Sequence, residues 1–176
     1  MIVSAACMAL PIIAGVVEWS GSRTLTERHR GHDDVYCLPV SVTCSPVIMM
    51  IFMGVLGFVM TWLCWAGVFQ VTAEVPCAFF LGFLVVEFVL WLGMRRYRVV
   101  TYDDHMEVTP FAGRVRRVDY DRITSLSWTR AGSFMGAYQS ILVRTDRTRA
   151  LLLGILDLEQ ILSRVGRYDV LGRSAL

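Results

Sequence analysis

One carboxylate in a long apolar run is the most pointed chemical feature of this sequence: Glu87 is the only charge in residues 75–94. Hydrocarbon offers an acid neither water nor counter-charge, so such a residue marks a functional position by default. The expectation is a protonated side chain, hydrogen-bonded within or between protomers; proton or ion handling is the competing chemistry. Glu87 precedes Arg95 by 8 residues, about 12 Å along a helix. In an antiparallel pair of helices that depth falls near Val55, between Gly54 and Gly57, where missing side chains would let two helices close in.

Arginine supplies the second chemistry. Arg95, Arg96 and Arg98 follow the apolar run, and Arg114, Arg116 and Arg117 come a short way on. Guanidinium groups beside a bilayer attract anionic headgroups at about 1 kcal/mol each; plain solvation is the bland reading. His29, His32, Asp33, Asp34 and Cys37 are a third cluster. His-x-x-His can supply two metal ligands, but no second pair follows at a standard spacing. A solvated loop is expected there, with no metal and no cofactor. Ser133 in Gly-Ser-Phe-Met-Gly looks like a nucleophile elbow, yet its neighbours read as strands rather than strand-then-helix. Residues 95–176 hold one histidine, His105, and no cysteine. No glycine-rich phosphate loop and no nucleophile–base–orienter set is found. The expectation is a non-enzymatic protein.

The elements that carry these groups differ sharply along the chain. Of 176 residues 55% are hydrophobic and 18% charged, more apolar than a typical soluble domain. Residues 1–94 hold 3 arginines against 6 acids, net −3; residues 95–176 hold 14 arginines against 9 acids, net +5. The total of +2 lacks the basic excess of a nucleic-acid binder. The five cysteines (Cys7, Cys37, Cys44, Cys64, Cys77) fit no disulfide framework and read as small buried hydrophobes.

Residues 47–69 carry no charge and would span roughly 34 Å as a helix, against a hydrocarbon core of about 30 Å. In residues 75–94, four Leu, four Phe and four Val outweigh the roughly 3 kcal/mol penalty of one central acid. The short link 70–74 predicts an antiparallel transmembrane hairpin. Trp62, Trp65 and Trp91 lie toward the segment ends, where aromatic belts sit. The link has no arginine, whereas both flanks do (Arg23, Arg28 and Arg30 before; Arg95, Arg96 and Arg98 after). Both flanks are therefore expected in the cytoplasm of a multi-pass plasma-membrane protein. Residues 1–18 are apolar but interrupted by Pro11, with no basic leader or cleavage pattern of a secretory signal. A third membrane helix with its end outside is one reading; an interfacial or poorly ordered segment, or a misplaced start codon, is the other. Residues 19–46 read as a polar linker with a short extended stretch from Val35 to Val42.

Residues 95–176 switch to the alternation of half-buried strands. Strands are expected at 97–102, around Met106 and Val108, at 114–120 with Val115, Val118 and Tyr120 inward and a bulge near Arg116-Arg117, around Leu126 and Trp128, around Ile141 and Val143, and at 149–153. A helix follows, capped by Asp157 with Gln160, stapled by Leu156 and Ile161, striped by Leu158, Ile161, Leu162 and Val165, and ended by Gly166. About six strands in meander order, bent into one sheet or partial barrel and plugged by the helix, would bury the apolar face and protect the edges. The fold class is α+β.

A membrane hairpin ending in Arg-Arg-Tyr-Arg, then Tyr-Asp-Asp-His-Met-Glu-Val, then Arg-Arg-Val-Asp-Tyr-Asp-Arg-Ile-Thr-Ser-Leu-Ser-Trp, a hairpin and Leu-Asp-Leu-Glu-Gln-Ile-Leu, resembles bacterial PH-like domain proteins, which include an actinobacterial low-molecular-weight antigen branch. The resemblance covers roughly residues 45–170. It implies a small membrane-anchored protein with a PH-like domain. Phosphoinositide-binding PH domains keep basic residues around the first strand–turn–strand; here that turn is Asp103-Asp104, so specific phosphoinositide binding is not expected. The expected role is a non-catalytic module contacting membrane lipid and a protein partner or a second copy of itself. The alternatives are a subunit or assembly factor using the hairpin and Glu87, and a small membrane enzyme or transporter.

Overall fold

The computed structural model describes residues 2–22, 34–129, 139–146, 148–166 and 171–172. Arg23, Arg28, Arg30, His29, His32, Asp33 and Ser133 lie outside the described residues. The elements in chain order are α1 (Ile2–Ser22), β1 (Asp34–Cys37), α2 (Val40–Trp65), α3 (Glu74–Arg96), β2 (Arg98–Thr101), β3 (His105–Thr109), β4 (Arg116–Asp119), a 3₁₀ turn (Tyr120–Arg122), β5 (Ile123–Thr129), β6 (Ser140–Thr145), β7 (Arg149–Leu152), α4 (Leu158–Val165) and β8 (Leu171–Gly172). They divide into two compact units. One holds α1, α2 and α3 up to Leu92; the other holds β1, the chain from Gly93 and all the later elements.

In the helical unit, α2 and α3 are both long and apolar enough to cross a membrane. Only 22% of the most apolar window of each is buried, far less than the core helix of a soluble protein requires. Ile48, Phe52 and Trp62 on α2 and Phe79, Val86 and Val89 on α3 are all more than half exposed. Such an exposed apolar surface is compatible with membrane association. The buried seam is narrow: Ala14 of α1, Val47 and Met50 of α2, and Cys77, Leu84 and Trp91 of α3. Gly57 is needed on this seam, because a Cβ there would stand 2.7 Å from Cβ of Phe80. That close approach lies about two turns before Glu87, so the glycine pair is not opposite the acid as expected.

Helix limits also differ from the expected spans. α2 starts at Val40, ahead of residue 47, and stops at Trp65; Pro46 lies inside it. The apolar run measures what lipid can cover, whereas the helix continues into the uncharged polar residues Ser41 and Thr43. α1 reaches Ser22, and β1 and the start of α2 also fall in the expected linker, residues 19–46. Trp62 and Trp65 are exposed, as belt residues would be, but Trp91 is 1% exposed and belongs to the seam.

The strand unit is built from two sheets rather than one. The first is antiparallel throughout, in the order β1-β2-β3-β4. The second runs β7-β6-β5 antiparallel, with β8 added parallel on β5. The expected strands after residue 95 are all present, and β1 is an addition drawn from ahead of the helices. β4 begins at Arg116, so Val115 falls in the preceding connection and is 49% exposed instead of inward. The irregularity expected at Arg116-Arg117 occurs instead in β5, between Ile123 and Ser125.

The alternation closes one core. Val99, Met106, Val108 and Val118 from the first sheet meet Leu126, Ile141, Val143 and Leu152 from the second, under Leu158, Ile161, Leu162 and Val165 of α4. The Asp157 side chain accepts from the Gln160 amide at 3.2 Å, and Gly166 ends α4 at φ 65°, a left-handed turn that glycine adopts without strain. Tyr97, the single residue between α3 and β2, ties the sheets together. Its hydroxyl donates to the Leu151 carbonyl at 2.8 Å and accepts from the Leu153 amide at 3.2 Å. Burial pushes this phenol up to about 12. Replacing Tyr97 by Phe strands two backbone groups of a buried edge, which costs about 1–3 kcal/mol. The expected result for Tyr97→Phe is faster hydrogen exchange at the Leu153 amide together with a lowered unfolding midpoint; unchanged exchange at that amide would contradict the assignment.

Candidate functional site

The first sheet is electrically polar along its strands. Cys37, Arg98 and Thr109 stand side by side across β1, β2 and β3, and β4 enters beside them with Arg116 opposite Val108. Arg95 and Arg96 end α3 one residue ahead of β2, and Arg114 lies in the β3–β4 connection. Five of the six expected arginines therefore gather at one end of the sheet. The opposite end carries Asp34 opposite Thr101, Asp119 opposite His105, and Asp103 and Asp104 in the β2–β3 turn. The alternation of strand directions produces this: β2 and β4 start, and β1 and β3 finish, at the basic end.

Two of the gathered arginines also shape the site. Arg96 donates to the Gly113 carbonyl and Arg116 to the Arg149 carbonyl, which pins the β3–β4 connection with Gly113 in the positive-φ region at 98°. Phe111 stacks on Tyr97 with ring centroids 5.1 Å apart, so Val115 and Arg114 are left projecting. Arg98 and Arg114 are exposed and make no ion pair among the described residues. Such an end has the charge to meet an anion-rich surface.

Arg117 does not join this end. It is paired opposite Glu107 in β3, bonds Asp119 at 3.0 Å and approaches Asp104 at 3.7 Å. The Asp119 hydrogen bond, then the charges of Asp119 and Asp104, raise its pKa. At the same acidic end Arg164 of α4 meets Asp103 at 3.5 Å and Asp34 at 4.0 Å. Of the histidine-rich cluster only Asp34 and Cys37 are described: Asp34 serves that ion pair, and Cys37 stands beside Arg98 in the sheet.

Glu87 is half-buried, and its Oε2 is enclosed without a hydrogen-bond partner among the described residues. The expected bond within the protomer is therefore not made at that oxygen. A different acid organises the helices. Glu18 of α1 accepts from Thr43 Oγ1 of α2 at 2.6 Å and from Trp91 Nε1 of α3 at 3.2 Å. Sequence reasoning counted Glu18 only as a charge. The available signal was its place as the first charge after the opening apolar run, one helical turn beyond Ala14, which is also buried on the seam.

No family model, curated protein or solved structure matches this chain.

The turn at the acidic end brings His105 onto Asp104. His105 stacks on Tyr102 with ring centroids 4.5 Å apart and bonds Asp104 Oδ1 at 2.5 Å. The hydrogen bond from His105, ahead of the charges of His105 and Arg117, holds the Asp104 carboxyl below its usual range. A depressed carboxylate contributes to stability above its ordinary pKa, and the contribution is lost as pH falls through the depressed value. Substituting His105→Ala is expected to return the Asp104 titration, followed by carboxyl carbon NMR, toward the ordinary range; an unchanged curve would show that the imidazole is not the cause.

Proposed function

We propose that this chain is a membrane-anchored interaction module. In this reading α2 and α3 cross the bilayer as an antiparallel hairpin, and the strands with α4 form a PH-like domain on the cytoplasmic side. Its arginine end binds the membrane surface, or a protein partner presented there, without catalysing a reaction. One observation carries the reading: β1 leaves the sheet at Cys37 and β2 re-enters it at Arg98, directly opposite in register. Residues 38–97, which contain both apolar helices, must therefore start and finish within one cross-strand spacing, about 5 Å. A chain that returns to its starting point crosses a bilayer an even number of times.

Charge agrees with that route. Leu38 and Pro39 alone separate β1 from α2, and Tyr97 alone separates α3 from β2. The end of the sheet covalently closest to both helices is thus the arginine end, and the acids lie at the far end. Arginine next to the helices and acid away from them is the arrangement that favours a cytoplasmic, anionic leaflet. The meander order ending in an amphipathic helix supports the PH-like reading, with β1 contributed from ahead of the helices. A second reading, a subunit of a larger membrane complex, is favoured by Glu87, a half-buried acid in an apolar helix whose Oε2 has no hydrogen-bond partner among the described residues.

The test places a photoreactive side chain at Val115 in cells, with a control at the exposed Glu159 on α4. Capture of phospholipid or of one discrete protein from position 115, and not from 159, is expected. Arg98→Gln and Arg114→Gln should each lower lipid capture about fivefold, the equivalent of about 1 kcal/mol. Equal capture at the two positions, or none at either, would overturn the proposal.

A further inference from the structure

Residues 110–115 join β3 to β4, and their root is fixed by named contacts. Phe111 stacks on Tyr97 with ring centroids 5.1 Å apart. It also lies against the last turn of α3, 3.6 Å from where a Cβ of Gly93 would stand, an ordinary packing distance. Arg96, in that same turn, donates to the Gly113 carbonyl. Where the connection enters β4, Arg116 donates to the Arg149 carbonyl. The root of the connection is thus packed on the residues with which α3 ends, and its tip faces outward. Ala112, Gly113, Arg114 and Val115 are all exposed, and a Cβ built on Gly113 would meet nothing within 4 Å.

Charge and position together select the occupant. The two stretches that meet here, Phe88 to Tyr102 and Val108 to Val118, contain no carboxylate, so the complement of this end is an anion. An acidic protein would answer the charge but not the attachment. A connection packed on the closing turn of a membrane helix is held at the level of the headgroups, where anionic phospholipid is the abundant anion. An exposed valine with an arginine on either side suits that zone: the apolar group enters the acyl boundary while the charges stay with the phosphates.

We infer that the β3–β4 connection is an interfacial lipid-binding loop: Val115 enters the headgroup region of anionic phospholipid, and Arg98 and Arg114 take the headgroup phosphates. The inference rests on the reading in which α3 ends at the bilayer surface, and it commits the arginine end of that reading to lipid. Attachment to the membrane is supplied by the helices. The loop adds a contact whose strength follows the anionic content of the leaflet, at about 1 kcal/mol per arginine.

The test uses the full chain in nanodiscs, with an environment-sensitive fluorescent amino acid in place of Val115. Discs of phosphatidylcholine are compared with discs that also contain phosphatidylglycerol. In the mixed discs the probe is expected to be quenched by headgroup spin-labelled lipid and shielded from acrylamide in the water; in phosphatidylcholine alone the shielding should be lost. Arg98→Gln and Arg114→Gln should each lower the ratio of shielded to open probe about fivefold, whereas Arg98→Lys and Arg114→Lys, which keep the charge, should retain it. A probe at Glu159 should stay open to acrylamide throughout. Equal accessibility of position 115 in the two lipids, or a loss as large with lysine as with glutamine, would overturn the inference. So would shielding that appears in phosphatidylcholine discs on adding inorganic phosphate, which would assign the end to a free anion. A probe at Val89, 62% exposed on α3, reports separately on the underlying reading, because lipids labelled deep in the acyl chains must quench it. If that quenching holds while position 115 fails, the lipid loop is lost and the membrane anchor stands; if it is absent, the anchor is lost and the loop with it.

Discussion

The pairing of β1 with β2 is the constraint from which the other features follow. Four residues ahead of the helices must meet four residues behind them, in the register Asp34↔Thr101 to Cys37↔Arg98. Closing so long an excursion costs little more than closing a shorter one, because the entropy of closure grows only with the logarithm of length. Once the pair is closed, both helix connections lie at one end of the sheet. Strand alternation then gathers Arg95, Arg96, Arg98, Arg114 and Arg116 at that end and Asp34, Asp103, Asp104 and Asp119 at the other.

Two residues make this closure specific. Tyr97 stands where α3 becomes β2, and its buried hydroxyl reaches the Leu151 carbonyl and the Leu153 amide in and just beyond β7. The start of β2 is thereby tied to the second sheet as well as to the first. Glu18 does the comparable job among the helices by accepting from Thr43 and Trp91. Polar bonds between apolar helices hold orientation where hydrophobic burial cannot, because lipid and side chain are equally apolar.

Most elements were legible because they are local. Alternation in Met106 and Val108, the Asp157 cap and the Leu158–Val165 stripe each need only neighbouring residues, and the structure has them all. β1 was not legible as part of the sheet. Asp-Val-Tyr-Cys is too short to show a period, and its partner lies beyond two long helices. Trp91 was misjudged because an aromatic near the end of an apolar run serves equally as a belt residue or as a buried donor; the choice depended on Glu18, far away in sequence. Arg117 looked like part of a basic group by adjacency, but strand direction turns it toward acids. At the site, the arginines could be counted from sequence, while their gathering at one end depended on register.

The closure itself is open to a direct chemical measurement, because Cys37 already stands on one side of it. Arg98→Cys places a second thiol opposite, and both antiparallel spacings, about 4.5 and 5.5 Å between Cα atoms, fall within the range a disulfide spans. Burial pushes the Cys37 thiol up, against the opposing charge of Arg98, so oxidation is done at mildly alkaline pH in the full chain. A disulfide joining positions 37 and 98, identified by mass spectrometry, is expected in high yield, with little from Val99→Cys, which lies one residue out of register. No link at 98, or equal yields at 98 and 99, would contradict a sheet closed across the two apolar helices.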